Sequence, residues 1–441
     1  MVFGGPTDIA ELGFEEGSFR YEVGVDYEHA VSATFGLKVI GLHSRDREKP
    51  QNIFDFLPAA GLPERSLFEA DNLSGEDIAR LELSWLGWKK HQIQFGGEFV
   101  RTFIDSTAAF LFDDGTGAGF SPIQIDGANT RVQELRGEVF INASSTFAKK
   151  WKLDSGFAVE LSDISQTGDT ANSRFFVYPK PFATLTYAPN KNTQIRLSAA
   201  RGVGQLSFSD FVSAVNFDDE DIDFGNPDLQ PQRSWETALS VEKRFGRIGV
   251  ITLEGFYNAI TDVEDLLPIT DIVEVPGNIG PGKIYGVSLD TTLPLDWLGL
   301  KNARLDANAT VRKSSVIDPL TGKSRSFSFT WDNEYAIEFR HDLPTLKSSW
   351  GWDINRQSEE LAFGLDEVSS FRSTVFVGAF FETTAVKGLK IRVEAIDLTN
   401  ATNSNQRTIF QGARNDTPVS FQESRRRNLG GEFRLVLSGN F

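Results

Sequence analysis

Between residues 303 and 313 the side chains alternate without a fault. Ala303, Leu305, Ala307, Ala309 and Val311 fall on one face, and Arg304, Asp306, Asn308, Thr310 and Arg312 on the other. A period of two is the signature of an extended strand, because successive side chains leave the backbone on opposite sides. The same pattern recurs along the chain. Phe19, Tyr21, Val23, Val25 and Tyr27 oppose Arg20, Glu22 and Asp26, while Trp151, Leu153, Phe157, Val159 and Leu161 oppose Lys152, Asp154, Glu160 and Ser162. Leu389, Ile391, Val393 and Ala395 oppose Lys390, Arg392 and Glu394. A large soluble β-sandwich or propeller alternates in the same way. Here, however, charge fills much of the second face, and several spans reach about ten residues, the length a tilted strand needs to cross a bilayer. The chain also ends in this register, with Phe433, Leu435, Leu437, Gly439 and Phe441 set against Arg434, Val436, Ser438 and Asn440. A closing strand of a barrel in lipid has that pattern.

Composition is compatible with a membrane barrel. A mean hydropathy of -0.24 and 40% hydrophobic residues resemble a soluble protein. No apolar run approaches the roughly 18 residues of a spanning helix. A barrel conceals its hydrophobicity in alternation, so neither fact excludes the membrane. The 37 Phe and 12% aromatic content suit rings at two membrane interfaces. A net charge of -17 removes nucleic acid as a partner, since that partner needs a basic footprint. The absence of Cys rules out disulfides and thiolate metal sites and fits an oxidising export route. The first residues lack a basic segment followed by an apolar core, as a secretory signal would have. An exported barrel needs one, so the 441 residues are expected to be the C-terminal part of a longer polypeptide.

Short and long connections alternate. Short turns are predicted at 29–31, 87–90, 149–150, 189–192, 244–247, 294–301, 342–347 and 383–388. Long loops are predicted at 44–76, 104–133, 163–173, 206–233, 262–280, 317–323, 357–370 and 398–423. Short periplasmic turns on one rim and long extracellular loops on the other are the organisation of outer-membrane barrels. Trp88, Trp151, Trp297, Trp350 and Trp352 fall near the short-turn rim. The fold class is therefore all-β, a large antiparallel transmembrane β-barrel spanning 1–441. Alternation gives about 17 strands, an odd number, whereas single-chain bacterial barrels close with even counts. The class with about 22 strands around a plugged lumen would leave roughly five strands and the plug upstream.

The segment Gly225-Asn226-Pro227-Asp228-Leu229-Gln230-Pro231, followed by Ser234-Trp235-Glu236, resembles the GNP-x-L-x-P-E signature of TonB-dependent outer-membrane receptors. Gln232 stands where that family often carries Glu. Upstream, 194–201 resembles the strand before this loop, although the usual Arg-Pro-x-Phe is replaced by 202–208. Downstream, Phe256-Tyr257-Asn258-Ala259-Ile260 resembles the F-Y-N-x-I strand, 393–400 the penultimate strand, and Phe441 the terminal aromatic. The resemblance implies a 22-stranded barrel with an N-terminal plug, which is expected to lie upstream of these residues. It also implies uptake of a scarce nutrient of the siderophore, cobalamin or carbohydrate class, driven by the TonB complex acting through that plug. Gly225, Asn226, Pro227, Leu229 and Pro231 either shape a loop-to-strand entry or touch the ligand. Gly225-Asn226-Pro227 is turn chemistry in its own right.

No enzymatic constellation is present. His29, His43, His91 and His341 are scattered with no metal-binding spacing. Asp218, Asp219, Asp221 and Asp223 form an acidic run that is either a hard-cation site or a solvated loop. No cofactor is expected. Arg425, Arg426 and Arg427 either attract anions such as lipopolysaccharide phosphates or balance the acidic loops. Arg304, Asp306, Asn308 and Arg312 are expected to face the lumen. Phe433, Leu435, Leu437 and Phe441 are expected to form the C-terminal signal for the barrel-assembly machinery. Partners would be outer-membrane lipid and lipopolysaccharide, a small nutrient ligand, and the TonB complex, in the outer membrane of a Gram-negative cell. A passive porin and a soluble surface-binding β protein are the alternatives.

Overall fold

In the computed structural model, residues 9–125, 127–216, 221–428 and 430–439 are described. Seventeen strands form one antiparallel wall, each hydrogen-bonded to the next in chain order. They are β1 (Ile9–Ser32), β2 (Phe35–Leu57), β3 (Glu64–Trp85), β4 (His91–Asp113), β5 (Asn129–Ala148), β6 (Trp151–Gly168), β7 (Asn172–Asn190) and β8 (Thr193–Val203). Then follow β9 (Arg233–Phe245), β10 (Gly249–Thr261), β11 (Gly282–Pro294), β12 (Ala303–Ile317), β13 (Asn333–Leu343), β14 (Ser348–Gln357), β15 (Phe376–Thr383), β16 (Leu389–Ile396) and β17 (Glu432–Gly439). Among the described residues β1 pairs only with β2, β17 pairs only with β16, and no ladder joins the two edges. No described helix is long and apolar enough to cross a membrane; the strands do the crossing.

The register turns the period-two pattern into continuous rows. Val39 on β2 lies beside Leu81, Gly97, Val139 and Val159 on the next four strands. One row below, Leu37 lies beside Leu83, Phe95, Ile141 and Phe157. These residues share the outward face, where Val139 is 65% exposed and Val311 61%. In water, apolar rows running across so many strands would form a patch far beyond the few hundred Å² a soluble monomer tolerates. The solvent for this face is hydrocarbon.

At the lower rim the turns bring aromatic rings together. Trp85 and Trp88 lie 5.0 Å apart, and Trp151 stacks on Tyr187 at 4.5 Å. This is an interfacial girdle. Leu305, outward like Val311, packs there with Leu293, Phe339 and Trp352 around buried Ala303 and Leu295.

Two predicted loops are strands. The segments 44–76 and 104–133 extend β2, β3, β4 and β5 upward, leaving short links at 58–63 and a brief pairing at Ser121–Ile123. Charge on both faces hid them: above the lipid, outward positions no longer need to be apolar. Arg47, paired with Asp71, and Arg131, paired with Asp105, both sit in the ladder. The second half of the wall behaves differently. Above β14 to β17 the strands break and resume as a four-stranded sheet of Glu360–Phe363, Glu367–Ser373, Thr402–Phe410 and Val419–Asn428, in the same neighbour order. Thus the predicted loops 357–370 and 398–423 also contain strands.

Candidate transport lumen

The inward face is polar and laced with ion pairs within and between strands. Arg80 reaches Glu98 at 3.2 Å and Glu82 at 3.3 Å. Lys180 bridges Glu138 and Glu160, the latter at 2.7 Å. Glu382 collects Lys390 at 2.8 Å, Arg392 at 3.3 Å and Arg340 at 3.8 Å. Arg392 also lies 4.2 Å over the Phe380 ring, which covers the backbone of Gly351, where a Cβ would approach that ring to 2.6 Å. An aromatic laid over a strand glycine restores the packing the glycine lacks. Arg304, Asp306, Asn308 and Arg312 lie on this face. Arg304 donates to Asp306 at 2.7 Å, Thr292 donates to the same carboxylate at 2.6 Å, and Arg312 pairs with Glu334.

The described parts of the 204–232 connection, 204–216 and 221–232, turn inward over this surface. Leu206, Phe211 and Leu229 are buried against Val132 and Ile164 of β5 and β6, with Ile104 and Phe176 alongside. Four of these residues come from inward positions of the wall, so the loop is held by an apolar core inside the mouth. Beneath it a polar cavity of about 270 Å³ is lined by Glu98, Glu134, Arg136, Glu160 and Lys180 from the wall and by Gln205 from the loop.

The GNP-x-L-x-P segment is the anchor of that fold-in. Asn226 accepts a hydrogen bond from the Asp228 N–H at 2.8 Å and donates to the Pro276 carbonyl at 2.7 Å. Asn172 donates to the Pro227 carbonyl at 2.8 Å, and Arg174 to the Asp228 carbonyl at 2.6 Å. Leu229 is 2% exposed. At Gly225 a Cβ would stand 2.3 Å from the Phe211 carbonyl, so only glycine fits. Pro231 borders the polar cavity. Next to the anchor, the Glu264 carboxylate accepts from the Gln232 N–H at 3.0 Å; burial pushes its pKa up, outweighing the hydrogen bond.

Above β10 to β16 a buried charge cluster ties four connections together. Arg325 donates to Asp265 at 2.9 Å and Asp318 at 2.7 Å, Arg414 also pairs with Asp318, and Phe363 lies beneath Arg325 at 4.6 Å. Arg414 further donates to the Gly364 carbonyl at 2.6 Å. Burial alone would raise the Asp318 pKa. The Thr321 N–H and the two guanidiniums outweigh it and bring the carboxyl down to about 2.

Asp218 and Asp219 lie outside the described residues. The backbone of Asp221 and Asp223 pairs with Ala214–Asn216. Among the described residues no three His, Asp or Glu are grouped to hold a metal. Arg425, Arg426 and Arg427 lie in Val419–Asn428, above the wall, and Arg425 contacts Glu423 at 2.7 Å. Phe433 is 79%, Leu435 63% and Leu437 60% exposed on the outward face of β17, while Phe441 lies outside the described residues. Sequence reasoning missed the Arg325–Asp318 cluster, whose directly paired members are up to 96 residues apart, and the inward course of the loop that carries Leu206, Phe211 and Leu229. The density of Leu and Phe in that loop was the available signal.

A wall with lipid rows outside, ion pairs inside and a loop folded into the mouth defines a β-barrel of the outer-membrane class. The family described as TonB dependent receptor-like, beta-barrel matches residues 3–366, and the chain belongs to it. Among solved structures it is similar to the ferric yersiniabactin uptake receptor FyuA from Yersinia pestis, with TM-score 0.65 and 11% identity over 88% of this chain and 57% of that one. It is also similar to the siderophore receptor PiuA from Acinetobacter baumannii, with TM-score 0.65 and 13% identity over 98% of this chain and 65% of that one. The ferric-catecholate import receptor Fiu from K12 E. coli gives TM-score 0.62 and 12% identity over 100% and 65%. The chain thus spans about three-fifths of the length of these relatives. Comparison with curated proteins gives no match.

Proposed function

We propose that this chain is the barrel portion of a receptor for TonB-dependent uptake of a scarce nutrient across the Gram-negative outer membrane. The nutrient would be of the siderophore, cobalamin or carbohydrate class. The observation that carries the reading is the family match over 3–366, supported by a lumen that is polar yet partly closed from above by the 204–232 core. In this reading the seventeen strands are the C-terminal part of a 22-stranded barrel, and further strands pair with the free edges of β1 and β17. A plug fills the lumen and passes the pull of the TonB complex to the ligand. Arg304, Asp306, Asn308 and Arg312 line the path. Phe433, Leu435, Leu437 and Phe441 direct assembly, and no step of the cycle is enzymatic.

The test is growth on limiting amounts of each nutrient class with the whole gene present, deleted, or present in a strain lacking TonB. Receptor function gives growth only when gene and TonB are both present. Growth that survives TonB loss, together with steady conductance of the purified protein in a planar bilayer, would instead identify a passive porin.

A further inference from the structure

Strands β1 to β4 continue above the membrane, and there their two faces carry different chemistry. Along 45–49 the backbone sends Arg45, Arg47 and Lys49 outward and turns Asp46 and Glu48 toward the mouth. The division holds over the spans 10–22, 44–56 and 64–76, whose inward positions hold six carboxylates and the single guanidinium of Arg20. An apolar shelf is set among those carboxylates. Ile125 and Ala128 close over Phe68 and Phe110 at one end, with Phe54 packed alongside. The Phe54 and Phe56 rings lie parallel, 6.5 Å apart. Toward β1 the shelf is open: Leu12, beside Phe54 in the register, is 41% exposed, and Phe14 is 63% exposed. Glu64 shares the row of Phe56, and Glu16, Glu48 and Asp46 occupy the three rows beneath Phe14. Phe68 lies seventeen residues above Trp85 on β3. At a rise of about 3.4 Å and a tilt of about 40° that is roughly 45 Å above the lower girdle, about 20 Å clear of the hydrocarbon band. The shelf faces the water over the mouth.

We propose that this shelf is a docking site for the imported nutrient and that it selects an organic cation with an aromatic or aliphatic face. The proposal rests on the uptake reading and narrows it by charge. An exposed apolar and aromatic surface takes the apolar face of a solute, and the ring quadrupoles of Phe14, Phe54 and Phe56 attract a cationic head. Carboxylates of one sign concentrate cations at that surface, and the same field turns anionic chelates away. Area selects a small molecule. Three strand intervals, about 14 Å, by three rows of about 7 Å give roughly 300 Å², well below the roughly 800 Å² that a stable protein partner buries on each side.

The experiment uses the full-length protein in a neutral detergent and two probes of like size and opposite charge, phenyltrimethylammonium and benzenesulfonate, with binding read by saturation-transfer NMR. Wild type is expected to bind the cation about tenfold more tightly than the anion at low salt, and added salt should shrink the preference. Phe14→Ala should weaken the cation about threefold. Glu16→Gln with Glu48→Gln should cut the preference to about threefold or less. All three side chains are exposed, so these variants keep the fold. Leu12→Cys reports access. The 441 residues contain no Cys, so labelling by a water-soluble maleimide above the wild-type background comes from the shelf, and phenyltrimethylammonium should slow it. Equal or tighter binding of benzenesulfonate overturns the proposal, as does unchanged binding in Phe14→Ala. So does a Leu12→Cys thiol that the maleimide cannot reach because the rest of the receptor covers this face. Neither probe needs TonB, so growth that proves independent of TonB would remove the uptake reading and leave the binding result standing.

Discussion

The two halves of the wall hold their extracellular parts by different means. In β2 to β6 the strands run 18 to 23 residues without interruption, and the backbone ladder carries them above the membrane. Charged side chains there decorate a structure that is already paired. In β14 to β17 the strands are 8 to 10 residues long and stop at a common level. Asp397 and Asn400 take positive φ values of 54° and 49° at the break, and the Asp397 carboxylate caps the Ala401 N–H at 2.7 Å. What lies above is tied to the neighbouring loops by the Arg325, Asp318 and Arg414 cluster. The contrast teaches that charge is structural here only where the ladder has been given up.

Removing charge from the interrupted half should have the largest effect. Arg325→Met leaves Asp265 and Asp318 buried with too few partners, a change that costs about 3–5 kcal/mol. Protease cleavage within 318–332 should rise steeply while β2 to β6 remain protected. If the two halves lose protection together, the division between them is wrong. Leu229→Ala comes next. Truncating a fully buried leucine costs about 2–5 kcal/mol, and it should release 204–232 from Val132 and Ile164 without melting the wall, read as new cleavage in that loop and higher conductance. Wild-type cleavage and conductance would mean that the anchor is held by the Asn226 hydrogen bonds alone.

Legibility in the sequence follows the same division. Inside the bilayer one face must be apolar, so alternation reveals strands such as 303–313 and the wall can be counted. Above the bilayer that demand disappears. The continuation of β2 through Arg45, Asp46, Arg47 and Glu48 therefore looks like a loop, although each residue is paired with β3. The GNP-x-L-x-P segment was recognisable from its turn chemistry. Its purpose was not, because Leu229 packs on Val132 and Ile164 of β5 and β6, far upstream in the chain. Ion pairs at the lumen were foreseeable as a class from the polar face, but their partners are set by register, and register is a property of neighbouring strands together.

Acid should separate the halves with an intermediate effect. The Asp318 carboxyl, held at about 2 against its ordinary 3.8, stabilises the interrupted half fully above pH 4. That contribution, about 2 kcal/mol, is lost as pH falls from near 4 through 2. Burial raises the pKa of Glu264, so its protonation has the opposite sign and favours the folded mouth as pH falls. Pepsin should cut 318–332 increasingly across that acid range in wild type. Asp318→Asn should be cleaved already at neutral pH, by a neutral-pH protease, and its susceptibility should no longer change with acid. A wild-type transition centred well above pH 4 would point to another group.

The smallest effect is expected where the ladder is intact. Arg47 and Asp71 make a close contact across β2 and β3, and Lys49 joins them at 3.1 Å. By geometry alone this resembles the Arg325 cluster. Arg47 and Lys49 are each more than half exposed, however, and water and salt screen such pairs to below about 1 kcal/mol. Asp71→Asn should therefore leave protease protection of β2 and β3 unchanged at moderate salt. Loss of protection comparable to Arg325→Met would mean that the upper hairpin is held by its charges after all, and that the two halves differ in appearance only.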